Sequence, residues 1–252
     1  AVAKQAAEKQ VSAIVFPELC LTGYTCGDLF FQQTLLTSAL NGLETILKEL
    51  KQEDIICIVG LPIRVETNLY NCAAVCYHGR LLGIVPKTNL VDQGGLNETR
   101  YFCTAPDYRE IMLCNQTVPF GTNIIFSCDT LTEFQFGVEI CKDIWVTEPP
   151  SNVLAKEGAT VIFNLSASTE VVGRAAYRKT LVTGQSAKLI CAYVYADAGE
   201  GESTTDYVYS GHDLIAENGT ILAESPLFYT GFIDADIDLQ LLWQERCHLL
   251  CW

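Results

Sequence analysis

The sequence predicts an α/β fold with mixed sheets, and three observations predict it. Apolar runs of strand length, such as "VSAIVF" and "IICIVGLPI", recur along the chain and end at proline or charged residues. Between them lie segments whose apolar residues return every three or four positions, the period of a helix with one buried face. Two strand pairs are joined by two-residue turn signals, His78-Gly79 and Asn218-Gly219, so antiparallel hairpins are mixed into the helix-strand alternation.

In chain order, "AVAKQAAEKQ" reads as the last turns of an amphipathic helix; it has no initiator Met and no strand before it. It suggests that N-terminal residues, including a strand, are missing. "VSAIVF" is a strand closed by Pro17, and "GDLFFQQTLLTSALNGLETILKELKQ" reads as one long helix. "IICIVGLPI" is a second strand, and "NLYNCAAVCYHGRLLGIVPK" is a hairpin. From Lys87 to about Thr122 the period is interrupted by Gly94-Gly95, Pro106 and Pro119, so this stretch is expected to be irregular. Strands "NIIFSCD" and "FQFGVEIC" follow. A helix begins near Pro149-Pro150, where proline suits the first turn. Strand "TVIFNLSAS", a helix from about Arg174 to Lys188, strand "LICAYVYA", the loop "DAGEGESTTD" and the hairpin "GHDLIAENGTILAES" complete the pattern. No repeat or domain boundary interrupts it, and one domain over 1–252 is the reading.

Composition narrows the function classes. The 252 residues can bury roughly 70–75% of the unfolded surface without disulfides. Hydrophobic residues make up 49% and charged ones 18%, as in ordinary globular domains. A formal net charge of −14 would repel phosphates, so nucleic acid and anionic membrane surfaces are not expected partners. No apolar run reaches membrane-spanning length and no basic-apolar leader is present, so a cytoplasmic setting is expected. The 12 cysteines contain no C-x-x-C spacing and read as small core residues. Cys247, His248 and Cys251 could ligate a metal only with a second ligand pair, which the sequence lacks.

Three strand ends carry reactive groups: Glu18 after "VFP", Lys87 after "GIVP", and Cys141 after "GVEI". Sites of open α/β sheets form at strand carboxyl ends. A thiol, a carboxylate and an ammonium suit acyl transfer, as nucleophile, proton shuttle and oxyanion partner. Taken singly, each has a plainer reading: a core cysteine, a solvated loop acid, a surface lysine.

The order Glu…Lys…Cys with its flanks resembles the nitrilase (carbon–nitrogen hydrolase) superfamily, and within it the glutaminase domains of glutamine-dependent NAD synthetases. The resembling segments run across nearly the whole chain: "VFPELCLTGYTCGDLF", "VGLPI", "YNCAAV", "GIVPKTNL", "NETRYF", "FGVEICKDIWVTEPPS", "LAKEGATVIFNLSAS", "GRAAYR" and "AYVYADAGEGESTTD". The resemblance implies a four-layer α-β-β-α sandwich and assembly into homo-oligomers. It implies that Cys141 is an exposed nucleophile forming a γ-glutamyl thioester, Glu18 the general base and acid, and Lys87 the oxyanion partner. Glu98 matches the family's second glutamate, and Tyr24 a tyrosine near the lysine. Trp145, Ser168 and Arg174 fall where the family holds glutamine. For Ser168 the plainer alternative is a helix cap, and for Arg174 a helix-start arginine.

No metal or cofactor is implied for this domain. ATP, magnesium and deamido-NAD would belong to a synthetase domain acting in cis or in trans, whose Gly-rich pyrophosphate loop does not occur here; "DQGGLNET" lacks a strand-to-helix setting. Together with the mid-helix start, this suggests a piece of a longer chain. Two positions depart from the family pattern: Lys142 stands where an acid commonly follows the nucleophile, and Gln93 replaces a tyrosine. They leave open an amidase acting on another small amide. A non-catalytic interaction domain of the same fold is the third reading, and Glu18, Lys87 and Cys141 argue against it.

Overall fold

The computed structural model describes residues 1–93 and 95–248. Its contacts divide the chain into two compact units, Ala1–Thr122 and Asn123–Trp252. In the first, helix α1 (Val2–Glu8) leads into strand β1 (Ala13–Val15), helix α2 (Gln33–Glu49), the strands β2 (Ile56–Val65), β3 (Asn68–Tyr77) and β4 (Arg80–Pro86), the two-residue strands β5 (Asp92–Gln93) and β6 (Leu96–Asn97), and the hairpin β7 (Arg109–Leu113) and β8 (Gln116–Phe120). The main sheet has the order β1-β2-β3-β4-β8-β7. β1 runs parallel to β2, β4 parallel to β8, and the other neighbours are antiparallel. Helix α2 buries Leu36, Ala39, Leu43 and Leu47, the three- and four-residue spacing of one apolar face.

The second unit contains β9 (Phe126–Ser127), β10 (Gln135–Ile140), α3 (Pro150–Lys156), β11 (Val161–Ser166), α4 (Arg174–Leu189), β12 (Ala192–Asp197), β13 (Leu214–Glu217), β14 (Thr220–Glu224) and α5 (Leu239–His248). Its sheet order is β14-β13-β12-β11-β10-β9, with β10, β11 and β12 mutually parallel and the edges antiparallel. The three parallel strands are almost wholly buried, which explains their continuous apolar runs. Ile144, Leu154, Ile162, Val182, Tyr193 and Leu214 belong to one core under α3 and α4.

The mixed α/β class and both predicted hairpins are observed. His78-Gly79 and Asn218-Gly219 all have positive φ, as a two-residue turn matched to strand twist requires. Three local expectations are corrected. The single long helix is a 3-10 turn over Gly27–Phe31, a break at Gln32 with extended backbone (φ −87°, ψ 126°), and then α2. The stretch expected to be irregular holds the β7–β8 hairpin, whose turn residues Cys114 and Asn115 have φ of 49° and 59° without any glycine. The strand read in "NIIFSCD" shrinks to Phe126–Ser127. Helix α5 was not anticipated. Among the described residues, no helix is long and apolar enough to cross a membrane.

Candidate active site

In the first unit, Glu18 follows β1 in a turn that lies against β2. Gly60 makes that approach possible. A Cβ at this position would stand 2.3 Å from Leu19 N and 2.8 Å from Pro17 O, both backbone atoms. The Phe16 N–H donates to Ile58 O and the Leu21 N–H to Gly60 O, so the turn is pinned on both sides of Glu18. Leu19 adopts a positive φ of 51° to complete it. Lys87 follows β4, and its own N–H donates to Asn71 O on neighbouring β3. Glu98 opens a 3-10 turn capped by Asn97, whose side chain accepts the Arg100 N–H.

These three residues meet. Lys87 Nζ donates to Glu18 Oε1 at 2.6 Å and to Glu98 Oε1 at 2.7 Å, and all three side chains are buried. Asn71 Nδ2 donates to Glu18 Oε1 at 2.6 Å, and Tyr24 OH donates to Glu98 Oε1 at 2.8 Å. The Val91 N–H closes on Glu98 Oε2 at 2.8 Å. Two carboxylates thus share one ammonium. Burial, opposed by Lys87 and reinforced by the negative charge of Glu98, pushes the Glu18 pKa from 4.5 up to about 7. Its Oε2 is buried and accepts no hydrogen bond from the described residues. A carboxylate in this state can take and return a proton near neutral pH.

In the second unit, β10 delivers Cys141 to a 3-10 turn, Cys141–Trp145. Cys141 has a φ of 46°, the left-handed region, which costs a non-glycine residue on the order of 1–2 kcal/mol. Hydrogen bonds tie the turn down: the Ile140 N–H donates to Asp143 Oδ2, and the Cys141 N–H to Asn164 Oδ1 on β11, both at 3.0 Å. The expectation of an exposed thiol is corrected, because Cys141 is only 6% exposed. Its turn sits on the packed ends of buried parallel strands, so the strand end is not a free surface. Beneath it, Glu139 is fully buried, and burial pushes its pKa up to about 7.

The residues expected to hold substrate form two groups. Arg174 opens α4 with its guanidinium 5.2 Å from the Trp145 ring centre, and Trp145 stacks on Tyr177 at 5.3 Å. Ser168 belongs to a different cluster. Its N–H donates to Asp197 Oδ1 at 2.7 Å, and its Oγ accepts from buried Arg178 at 3.4 Å. Arg178 also pairs with Glu170 at 3.1 Å and bonds His212 Nδ1 at 2.9 Å. The alternative reading of Ser168 as a helix cap fails, since α4 is preceded by Gly173 at its N-cap. Lys142 is half-buried and Gln93 exposed. Gly94, beside Gln93, lies outside the described residues, as does Cys251 of the Cys247, His248 and Cys251 set. No group of three or more His, Cys, Asp or Glu side chains among the described residues is placed to hold a metal ion.

Sequence reasoning did not single out Asn71, Glu139, Asn164, Tyr193 or Arg178. The available signal was a polar residue inside an otherwise apolar strand, "YNCAAV", "GVEIC" and "VIFNLS", because buried polar groups are the informative exceptions in a core.

Comparison with known proteins identifies the family. The chain is 41% identical over 238 residues to the glutamine-dependent NAD(+) synthetase of Mycobacterium tuberculosis, a match covering 93% of this chain and 35% of that protein. It is 29% identical over 247 residues to the human glutamine-dependent NAD(+) synthetase, covering 92% and 34%. The chain therefore spans about a third of the length of the curated relatives it matches. Among solved structures, a glutamine-dependent NAD(+) synthetase from Cytophaga hutchinsonii superposes with a TM-score of 0.79 at 29% identity, over 90% of this chain and 36% of that one. A nitrilase-superfamily amidase from Nesterenkonia AN1, at 17% identity, shares the fold with a TM-score of 0.73 over 98% of this chain and 86% of its own. The carbon-nitrogen hydrolase family model matches residues 1–245, and the chain belongs to that family.

Proposed function

We propose that this chain is a glutamine amidohydrolase domain that releases ammonia through a cysteine thioester, for amidation of deamido-NAD by a synthetase domain in cis or in trans. The Cys141 thiol adds to the side-chain amide carbon of glutamine while Glu18 takes its proton. Lys87 stabilises the oxyanion that forms. The C–N bond then breaks, Glu18 returns the proton, and ammonia departs to leave a γ-glutamyl thioester. Water, deprotonated by Glu18, adds to the thioester; glutamate leaves and the thiol is restored. Glu98 and Tyr24 hold Lys87 in place, while Trp145, Ser168 and Arg174 receive the substrate, with Arg174 suited to a bidentate pair with its α-carboxylate.

The observation that carries this reading is the buried Glu18–Lys87–Glu98 cluster, in which one ammonium is shared by two carboxylates and Glu18 keeps an unpaired oxygen. The identity to glutamine-dependent NAD(+) synthetases along almost the whole chain supports glutamine as substrate. A cytoplasmic enzyme that assembles into homo-oligomers fits the same reading. A second reading, an amidase acting on another small amide, is favoured by Lys142 directly after Cys141, because its charge opposes an ammonium-bearing substrate at close range.

The test is ammonia release from glutamine and a panel of small amides by the purified chain, with Cys141→Ala as the control. Release from glutamine that disappears in Cys141→Ala is expected. Cys141-dependent release only from other amides would transfer the reading to the second form, and none from any amide would sink both.

A further inference from the structure

Behind Cys141 lies a closed chain of buried polar groups that the proposed chemistry does not use. Glu139, Asn164, Ser166 and Tyr193 are each 1% exposed or less. Asn164 pairs with Glu139 in the parallel β10–β11 register, two residues before the nucleophile. Its Oδ1 accepts the Cys141 N–H at 3.0 Å and the Ser166 hydroxyl at 2.7 Å. Its Nδ2 donates to Tyr193 OH at 3.0 Å. Tyr193 OH donates in turn to Glu139 Oε1, and the Ser151 N–H donates to Glu139 Oε2 at 2.8 Å.

The direction of this chain is forced by its ends. The Cys141 N–H can only donate, so Asn164 must present its carbonyl oxygen there and its NH2 to Tyr193. The tyrosine oxygen then receives a hydrogen bond, and its single proton must go to another acceptor. Glu139 Oε1 is that acceptor. A donor in place of Oε1 would reverse the tyrosine hydroxyl, oppose the Asn164 NH2 and favour the flipped amide. The flipped amide sets NH2 against the Cys141 N–H, removing the bond that ties the left-handed turn to β11.

We propose that Asn164, Tyr193 and Glu139 form a directional hydrogen-bond relay that positions Cys141, with Glu139 setting the orientation of the Asn164 amide and through it the backbone of the nucleophile. These are positioning residues, since none of them touches the reacting atoms in the chemistry above. The proposal rests on Cys141 as the nucleophile. No partner, metal or ligand is required, and the relay lies entirely within the second unit.

The relay makes a polarity-reversal prediction. In Glu139→Gln, the new amide can present an N–H to Tyr193, which then opposes Asn164. Adding Asn164→Asp cures the conflict. The introduced carboxylate keeps one oxygen on the Cys141 N–H and accepts the reversed tyrosine hydroxyl with the other. The introduced amide then donates to the tyrosine and still accepts the Ser151 N–H. Each single variant is expected to lower kcat about tenfold or more with KM little changed, and to slow iodoacetamide alkylation at Cys141, followed by mass spectrometry of its own peptide. The double variant is expected to recover to within about threefold of the parent in both measurements.

Tyr193→Phe, which cuts the relay without adding a donor, provides an independent variant if Glu139→Gln does not fold. It is expected to lower kcat and alkylation together, and adding Glu139→Gln to it is expected to cause little further loss. Parent-like kcat and alkylation in folded Glu139→Gln, or a double variant as impaired as its worse single variant, overturns the relay. Failure of the nucleophile reading looks different: the parent then releases no ammonia in a Cys141-dependent manner, while the alkylation rates still report on the anchoring of the turn.

Discussion

Glu18 and Glu139 are both fully buried carboxylates, and burial pushes both up to about 7, yet they keep opposite company. Glu18 lies 2.6 Å from an ammonium and keeps one oxygen without a partner. Glu139 receives a hydrogen bond on each oxygen, from Tyr193 OH and from the Ser151 N–H, and the charge that acts on it is the like-signed Asp143. A similar perturbation therefore accompanies two different capacities. Glu18 has an open lone pair and a cation to steady its charge, as a proton shuttle needs. Glu139 has no vacant oxygen, and its geometry suits fixing the direction of a hydrogen-bond chain. A raised pKa draws attention to both residues; the hydrogen-bond inventory separates them.

The largest expected effect breaks the charged side of that comparison. Lys87→Met retains length and apolar stem but leaves Glu18 and Glu98 buried without their shared cation. Removing one partner of a buried pair costs about 3–5 kcal/mol, so urea unfolding should show a loss of that size. Ammonia release should fall by about 100-fold or more, through loss of the oxyanion partner. Glu139→Gln should cost far less stability, because no ion pair is broken. Equal losses in the two variants would show that burial alone, and not the company each carboxylate keeps, sets its contribution.

Gly60→Ala tests how the Glu18 turn is held. The added Cβ meets backbone atoms at 2.3 and 2.8 Å, which cannot swing aside as a flexible side chain would. Either β2 or the turn must move, at a cost of about 1–3 kcal/mol. A displacement of about 1 Å at Glu18 can lower kcat on the order of 100-fold. The Lys87 variant should lose more stability, while the two share a loss of kcat. A Gly60→Ala chain with parent kcat would mean that the turn does not depend on this close approach.

Much of what carries reactive groups in each unit was legible in the sequence, for a definable reason. Glu18, Lys87 and Cys141 interrupt apolar runs at strand ends, where pattern and chemistry coincide. The His78-Gly79 and Asn218-Gly219 turns were legible because glycine marks the positive φ they require. The Cys114-Asn115 turn uses the same backbone region without glycine, and its hairpin escaped notice. The break at Gln32 is made by one extended residue inside a sequence whose period continues through it. Asn71 and Asn164 depend on register, because they matter through what stands beside them on another strand. A one-dimensional pattern does not carry that pairing. The burial of Cys141 escaped for a similar reason, since the end of a strand need not be the edge of a core.

The smallest expected effect, and the sharpest separation of the two carboxylates, comes from pH. An acid whose folded pKa lies above its unfolded value holds its proton more tightly in the folded chain. Between 4.5 and about 7 the folded state therefore binds more protons than the unfolded one, and stability falls as pH rises through that window. Glu139→Gln removes one such group, so the slope of unfolding free energy against pH should flatten by up to about 1.4 kcal/mol per pH unit. Urea unfolding at pH 5, 6 and 7 measures this directly. Activity should behave differently. With Glu18 as the base, kcat/KM rises with pH as Glu18 loses its proton near 7, and because a protonated Glu139 presents a donor to the relay, both carboxylates feed that rise in the parent. Glu139→Gln should lower the plateau and leave the rise that Glu18 alone produces. A rise that vanishes in Glu139→Gln would assign the titration to Glu139 alone and remove the argument for Glu18 as the base. A flattened stability slope with an activity limb that persists at a lower plateau would assign one carboxylate to proton transfer and the other to position.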